Sequence, residues 1–213
     1  LTGPRAVLFD VGPGPRAVLF DVGNVMVRWN PRTLYSKVFS DTAECDRFLA
    51  DVCTMAWHTE HDRGVPMATN AAPLIARHPH YEQAILAWDA RFDEMIEGVV
   101  PETIAVMDDL HARGVPMYGL TNMPAEKWPM VQGFSHAFGY FRDVVVSAHE
   151  GVIKPDPRAF EIACERAGLA PAELFFVDDN HANIEAAHRM GFDVHLFDDP
   201  AGLRPALESR GLL

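Results

Sequence analysis

Positive charge is what this chain has least of: 18 Lys and Arg stand against 30 Asp and Glu, a formal net charge of −12. A surface of that sign repels phosphate backbones and anionic lipid, which argues against nucleic acid or a membrane as the main partner. A small anionic ligand stays admissible, because a few local donors decide its binding. Cysteine is scarce as well. Cys45, Cys53 and Cys164 are odd in number and show no CxxC spacing, so buried, reduced thiols are the simplest reading. The ten histidines show no HExxH spacing for zinc. No apolar run approaches the roughly 20 residues of a bilayer span. The N-terminal stretch carries no signal-peptide pattern: Arg5 and Arg16 sit beside short apolar runs broken by Asp, Gly and Pro. A cytoplasmic monomer or homodimer is the expectation.

What is present suits a folded enzyme. The chain has 213 residues, 48% apolar and 23% charged, enough for one sizeable core with a smaller insert. Short apolar runs, most of them rich in Val or Phe and each followed by a polar residue, read as strands at Ala17–Phe20, Pro116–Leu120, Val144–Ser147, Leu174–Val177 and Val194–Phe197. Their near-continuous apolarity points to a parallel sheet covered on both faces. Helices are predicted over Pro101–Arg113, Asp156–Ala167 and Asn180–Met190, each followed by a glycine suited to a left-handed cap. Strand–helix alternation of this kind means an α/β domain. Residues 31–98 differ, with helix-like periodicity and no convincing strand.

The N-terminus holds a ten-residue repeat, GPRAVLFDVG, at Gly3–Gly12 and Gly14–Gly23, with aspartates at Asp10 and Asp21. Parallel neighbours need a crossover of roughly a dozen residues, and none fits between the copies. Only one copy can therefore be the sheet's active strand. The second runs on into NVMVRWNP, so Asp21 is chosen and Asp10 is left in an arm.

In open α/β sheets, ligands bind at the carboxyl ends of the strands. Those ends collect Asp21, Thr121, Asn122, Asp178 and Asp179, with Lys154 in the loop GVIKPDP. A carboxylate can attack phosphorus and form a covalent intermediate. Attack on a phosphate dianion needs a cation and fixed donors to offset the repulsion. Asp21 and Asp179 across adjacent strand ends suit Mg²⁺, with the Gly23 carbonyl a further ligand. Thr121 and the Asn122 backbone N–H can hold phosphoryl oxygens, and Lys154 can neutralise both phosphate and Asp21.

The ordered set FDVGNV, GLTN, IKPDP and FFVDDNHANIEAA, spanning Phe20 to Ala187, resembles the haloacid dehalogenase (HAD) superfamily of hydrolases. Each piece alone is weak; the four in order are specific. The resemblance implies a Rossmann-like parallel-sheet core with an inserted helical cap. The expected layout is an arm at 1–13, a core at 14–30 and 99–213, and the cap at 31–98. By carry-over Asp21 is the nucleophile, Thr121 the phosphate binder and Lys154 the third-motif lysine. Asp179 is the metal-binding acid, with Asp178 and Asn183 in support. The FDxGNV and DDNxxNIE forms look most like small sugar-phosphate phosphatases such as glucose-1-phosphate phosphatase.

One position departs from the pattern. Most family phosphatases carry a second aspartate two residues after the nucleophile, to protonate the leaving alcohol; here that residue is Gly23. His58, Glu60 and His61 in the insert are the candidate substitutes. The expectation is a Mg²⁺-dependent phosphomonoesterase acting on a small phosphorylated metabolite. It is weighed against a 2-haloacid dehalogenase, whose chemistry needs no metal and leaves Asp179 without a task. It is weighed also against a receiver-type signalling module, whose paired acids come early in the chain, and against a catalytically silent binding protein of the same fold.

Overall fold

A computed structural model describes residues 14–213, so the first copy of the repeat, with Asp10 and the expected arm, lies outside the described residues. The second copy supplies β1 (Ala17–Phe20), the centre of a five-stranded parallel sheet. Its other strands are β4 (Met117–Thr121), β5 (Phe141–Val146), β6 (Leu174–Asp178) and β7 (Asp193–Leu196), in the order β5-β4-β1-β6-β7.

The continuous apolarity of β1 has a direct cause. Val18 and Phe20 enter one buried cluster with Phe175 and Val177, while Ala17 and Leu19 enter another with Leu174 and Phe176. Helix α6 (Pro101–Ala112) and α11 (Pro200–Glu208) cover the first face through Met107, Leu110, Leu203 and Leu207. Helices α9 (Pro157–Ala167) and α10 (His181–Arg189) cover the second through Phe160, Ala163 and Ala187. With both faces dry, alternation of polar and apolar residues vanishes from the strands.

Between β1 and α6 the chain builds a helical layer: α1 (Pro31–Val38), α2 (Thr42–Asp51), α3 (Met55–Asp62), α4 (Met67–Arg77) and α5 (Glu82–Ala90). It has its own apolar core around Leu34, Tyr35, Phe48, Leu74, Ile85 and Trp88. The Tyr35 hydroxyl is satisfied inside it by donating to the Ala84 carbonyl at 3.0 Å. The chain leaves through β2 (Val27–Trp29) and returns through β3 (Ile96–Val99), which pair antiparallel as a two-stranded ribbon. That ribbon corrects the expectation of no strand in 31–98. Its return half, Ile-Glu-Gly-Val, is too short and too broken by Gly98, at φ 129°, to show a strand pattern.

The remaining predicted elements are displaced by one residue at most at either end, except that β5 begins earlier than Val144, and Ser147 starts the short α8 (Ser147–Glu150). A last short helix, α7 (Trp128–Gln132), follows β4. No helix among the described residues is long and apolar enough to cross a membrane.

Sheet closure sets a tight limit at Gly119, which pairs with Val144 across β4 and β5. A Cβ built there would stand 2.8 Å from Val144 Cγ1, and the β-branched valine has little freedom to turn away. Gly119→Ala is expected to destabilise the fold by about 1–3 kcal/mol. Adding Val144→Ala should recover part of that loss in a denaturant melt; no recovery would place the strain elsewhere.

Candidate active site

Asp21 follows the last residue of β1, Thr121 and Asp178 close β4 and β6, and Asp179 comes next in the chain. Because β4, β1 and β6 are neighbours in register, their polar ends meet at one edge of the sheet. Lys154 reaches the same point from the loop between α8 and α9. Its ammonium lies 2.9 Å from Asp21 Oδ1 and 2.6 Å from Asp178 Oδ2, with all three side chains nearly or fully buried.

Each member of this triad is held by further donors. Asp21 Oδ1 also accepts the Val22 N–H at 2.7 Å. Asp178 Oδ1 accepts the Asn180 N–H at 2.8 Å, and the Asn183 amide bridges both Asp178 oxygens at 3.0 Å. Asn122 clamps the main chain of Lys154: Nδ2 donates to its carbonyl at 3.0 Å and Oδ1 accepts its N–H at 2.8 Å. Asn24, at φ 56°, donates through Nδ2 to Asp179 Oδ2 at 3.1 Å.

Burial pushes the Asp21 carboxyl up to about 7; Lys154 works against that shift, and the charges of Asp178 and Asp179 add to it. For Lys154, burial alone would favour the neutral amine. Asp178 and Asp21 outweigh it and hold the ammonium above its ordinary value. Asp179 is raised too, by burial first.

The donor set suits a hard divalent cation. One oxygen from each of Asp21, Asp178 and Asp179 falls within 4.8 Å of the others, and one ammonium cannot neutralise three carboxylates. Both Asp178 oxygens are already engaged by protein donors, whereas Asp21 and Asp179 each keep an oxygen without a side-chain partner. Gly23 lines the same end of the cavity.

That cavity, about 370 Å³, runs from the sheet edge up to the helical layer. Asn122, Lys154, Asp179 and Asn183 line it near Asp21, whereas Thr121 is not on its wall. The Thr121 hydroxyl is buried, without a hydrogen-bond partner among the described residues. The Asn122 side chain serves as a brace for Lys154, which leaves its backbone N–H for the role expected of it.

The three candidates for the missing acid fare poorly. Burial, then the neighbouring His61, pulls His58 down to about 3. Its Nδ1 accepts the Trp88 indole N–H at 3.2 Å, so the neutral ring carries its proton on Nε2. His61 is pulled down to about 4 by burial and contacts the Asn70 amide at 3.0 Å. Glu60 is exposed and lies near Arg63. Of the three only His58 lines the cavity, and beside it on the wall stands Asp62, which sequence reasoning passes over. It is 7% exposed, and burial, then the Asp21 charge, pushes it up to about 7 against the pull of Lys154. Only its i+4 spacing from His58 could have drawn attention to it.

Comparison with known proteins gives the chain its relatives. The chain is 32% identical over 98 residues to the sesquiterpene phosphatase astK of Aspergillus oryzae, covering 46% of this chain and 50% of that one. It is 28% identical over 137 residues to a phosphoglycolate phosphatase of Thiobacillus denitrificans, covering 63% and 56%. The chain thus spans about half the length of these curated relatives. The HAD family enzyme bt-2542 of Bacteroides thetaiotaomicron, solved with magnesium and inorganic phosphate, shares the fold with a TM-score of 0.68 at 21% identity, over 89% of this chain and 99% of that one. Residues 15–191 match the model of the haloacid dehalogenase-like hydrolases, and the chain belongs to that family.

Proposed function

We propose that the protein is a Mg²⁺-dependent phosphomonoesterase that hydrolyses a small phosphorylated metabolite through an aspartyl-phosphate on Asp21. The observation that carries this reading is the convergence of Asp21, Lys154, Asp178 and Asp179 at one end of a single cavity. Phosphatases among the relatives, and the magnesium and phosphate bound by bt-2542, support it. A metal-free dehalogenase would have no use for Asp179 beside Asp21.

In this reading Asp21 Oδ1 is fixed by Lys154 and the Val22 N–H, so Oδ2 is the oxygen that attacks phosphorus. Asp21 and Asp179 would hold the cation, whose positive charge would lower the repulsion between carboxylate and phosphate. Lys154 adds a second, permanent positive charge, and its brace by Asn122 sets where that charge stands. Asp178 holds Lys154 in turn, and Asn183 holds Asp178. Helices α1–α5 form a cap (31–98) on the core (14–30 and 99–213), and that cap encloses the leaving group.

The wall beyond the phosphate end is apolar: Val27, Trp29, Met55, Phe92, Ile96 and Met123. Its polar side chains are few: Thr59, His58 and Asp62, with the indole N–H of Trp29. Thr59 donates to the Met55 carbonyl at 2.8 Å and His58 accepts from Trp88. A buried hydroxyl without a partner costs about 1–3 kcal/mol. An alcohol with an apolar body therefore fits this wall better than the sugar suggested by the motif forms, and one relative is named for a sesquiterpene.

Asp21→Asn is expected to abolish phosphate release from 4-nitrophenyl phosphate while leaving the circular dichroism spectrum and melting unchanged; full activity in the variant would sink the mechanism. Chelation of divalent cations should stop the wild-type reaction and Mg²⁺ should restore it. Chelator-resistant halide release from a 2-haloacid, with no phosphate release from any ester, would favour the dehalogenase instead. Across a panel of phosphate esters, n-hexyl phosphate is expected to exceed glucose 1-phosphate in kcat/KM by about tenfold or more, the worth of one or two unpaired hydroxyls. The reverse order would return the sugar reading.

A further inference from the structure

The cavity holds one carboxyl group that the proposed chemistry does not yet use. Asp62 closes α3, in the helical layer, yet lines the cavity that contains Asp21. Its side chain is 9% exposed, and Oδ1 is buried without a hydrogen-bond partner among the described residues. The nearest cationic candidate, His58 Nε2, lies 3.6 Å from it, beyond a good hydrogen bond, on a ring that is neutral. Buried carboxyl oxygens are ordinarily satisfied, so Asp62 is a carboxyl that the fold brings to the cavity without giving its dry Oδ1 a partner among the described residues.

The backbone at Asp62 is anchored to the core, so this group does not drift with the helical layer. The Ser147 hydroxyl, at the start of α8, donates to the Asp62 carbonyl at 2.6 Å and accepts the Met123 N–H at 3.0 Å. Two residues on, Gly64 adopts φ 97°, and a Cβ built there would stand 2.7 Å from the Ala148 carbonyl oxygen. The end of α3 thus seats directly on α8, which leads through its loop to Lys154. At the nucleophile's end of the site Gly23 carries no side chain that could donate a proton to a leaving group, and the space around its Cα is open.

We infer that Asp62 is the general acid of the reaction, delivered from the helical layer to the position that Gly23 leaves vacant. This rests on the phosphomonoesterase reading. As the ester P–O bond breaks and the Asp21 Oδ2–P bond forms, the Asp62 carboxyl gives its proton to the departing alkoxide oxygen. The products are a neutral alcohol, aspartyl-phosphate and the Asp62 carboxylate. Water then attacks phosphorus, breaking the Asp21–P bond and giving one proton back to Asp62, so that phosphate leaves and both carboxyl groups return to their starting states.

General acid catalysis is worth about 10²–10⁴-fold in rate and matters most when the leaving group is a poor one. The test follows the first turnover of Asp62→Asn and wild type, with Mg²⁺, on n-hexyl phosphate and 4-nitrophenyl phosphate. Release of hexanol should slow by about 10²–10⁴-fold, while release of 4-nitrophenolate, which leaves as a stable anion, should slow by less than about tenfold. A merely structural role would slow both alike. Equal losses on the two esters, or no loss on either, would overturn the assignment of Asp62. Absence of Asp21-dependent release from both esters by wild type would instead sink the phosphatase reading, and this inference with it. Asp62→Ala, which removes the carboxyl without offering an amide, is read in the same way should the asparagine variant fail to fold.

Discussion

The buried ammonium of Lys154 between Asp21 and Asp178 is the contact on which the rest of the site depends. Removing three charges from water is costly, and the mutual attraction offsets that cost only when the remaining hydrogen-bonding capacity is filled. Here it is filled by Val22, Asn180, Asn183 and the Asn122 brace. The polar residues of four separate segments are therefore parts of one electrostatic unit. Asp178 is saturated by these partners, which leaves Asp21 and Asp179 as the carboxylates with oxygens to offer.

The sheet makes that unit possible. Parallel strands with dry faces bring their carboxyl ends to one edge, and β1 at the centre sets Asp21 between β4 and β6. Above that edge the helical layer, with a separate apolar core, contributes the other wall of the cavity. The same ribbon, β2 with β3, carries the chain into and out of that layer, and Trp29 at its end stacks on His58 with ring centroids 4.9 Å apart. The layer is tied down again where α3 meets α8, far from the ribbon in sequence. Two attachments of this kind restrict how the layer can move over the site, and the second runs through Asp62 itself.

Much of this is legible in the sequence. The strand ends point to Asp21, Thr121, Asp178 and Asp179 because buried strands must stop at polar residues, and the third-motif lysine follows from the order of the pieces. What is misplaced has a common physical origin. Thr121 reads as a ligand at the surface of the site, and the structure shows its hydroxyl buried and unpartnered among the described residues, off the cavity lining. His58 and His61 read as acid–base groups, but packing around Trp88 and Trp57 holds them neutral. The ribbon strand Ile96–Val99 is invisible because four residues with a glycine carry no readable period.

By itself the sequence determined the fold class, the central strand and the polar residues that close the neighbouring strands. Those properties are local: apolar runs, caps, and polar residues at strand ends act over a few neighbouring positions. Only the tertiary structure decided which groups are dry, which hydrogen bonds they complete and what shares a cavity with them. The Ser147–Asp62 contact joins residues 85 positions apart, and the burial that raises the Asp62 carboxyl comes from atoms of other elements. A residue's charge state depends on the dielectric and the charges around it in space. No spacing along the chain encodes that, so the carboxyl that stands in for Gly23 could be found only in the folded molecule.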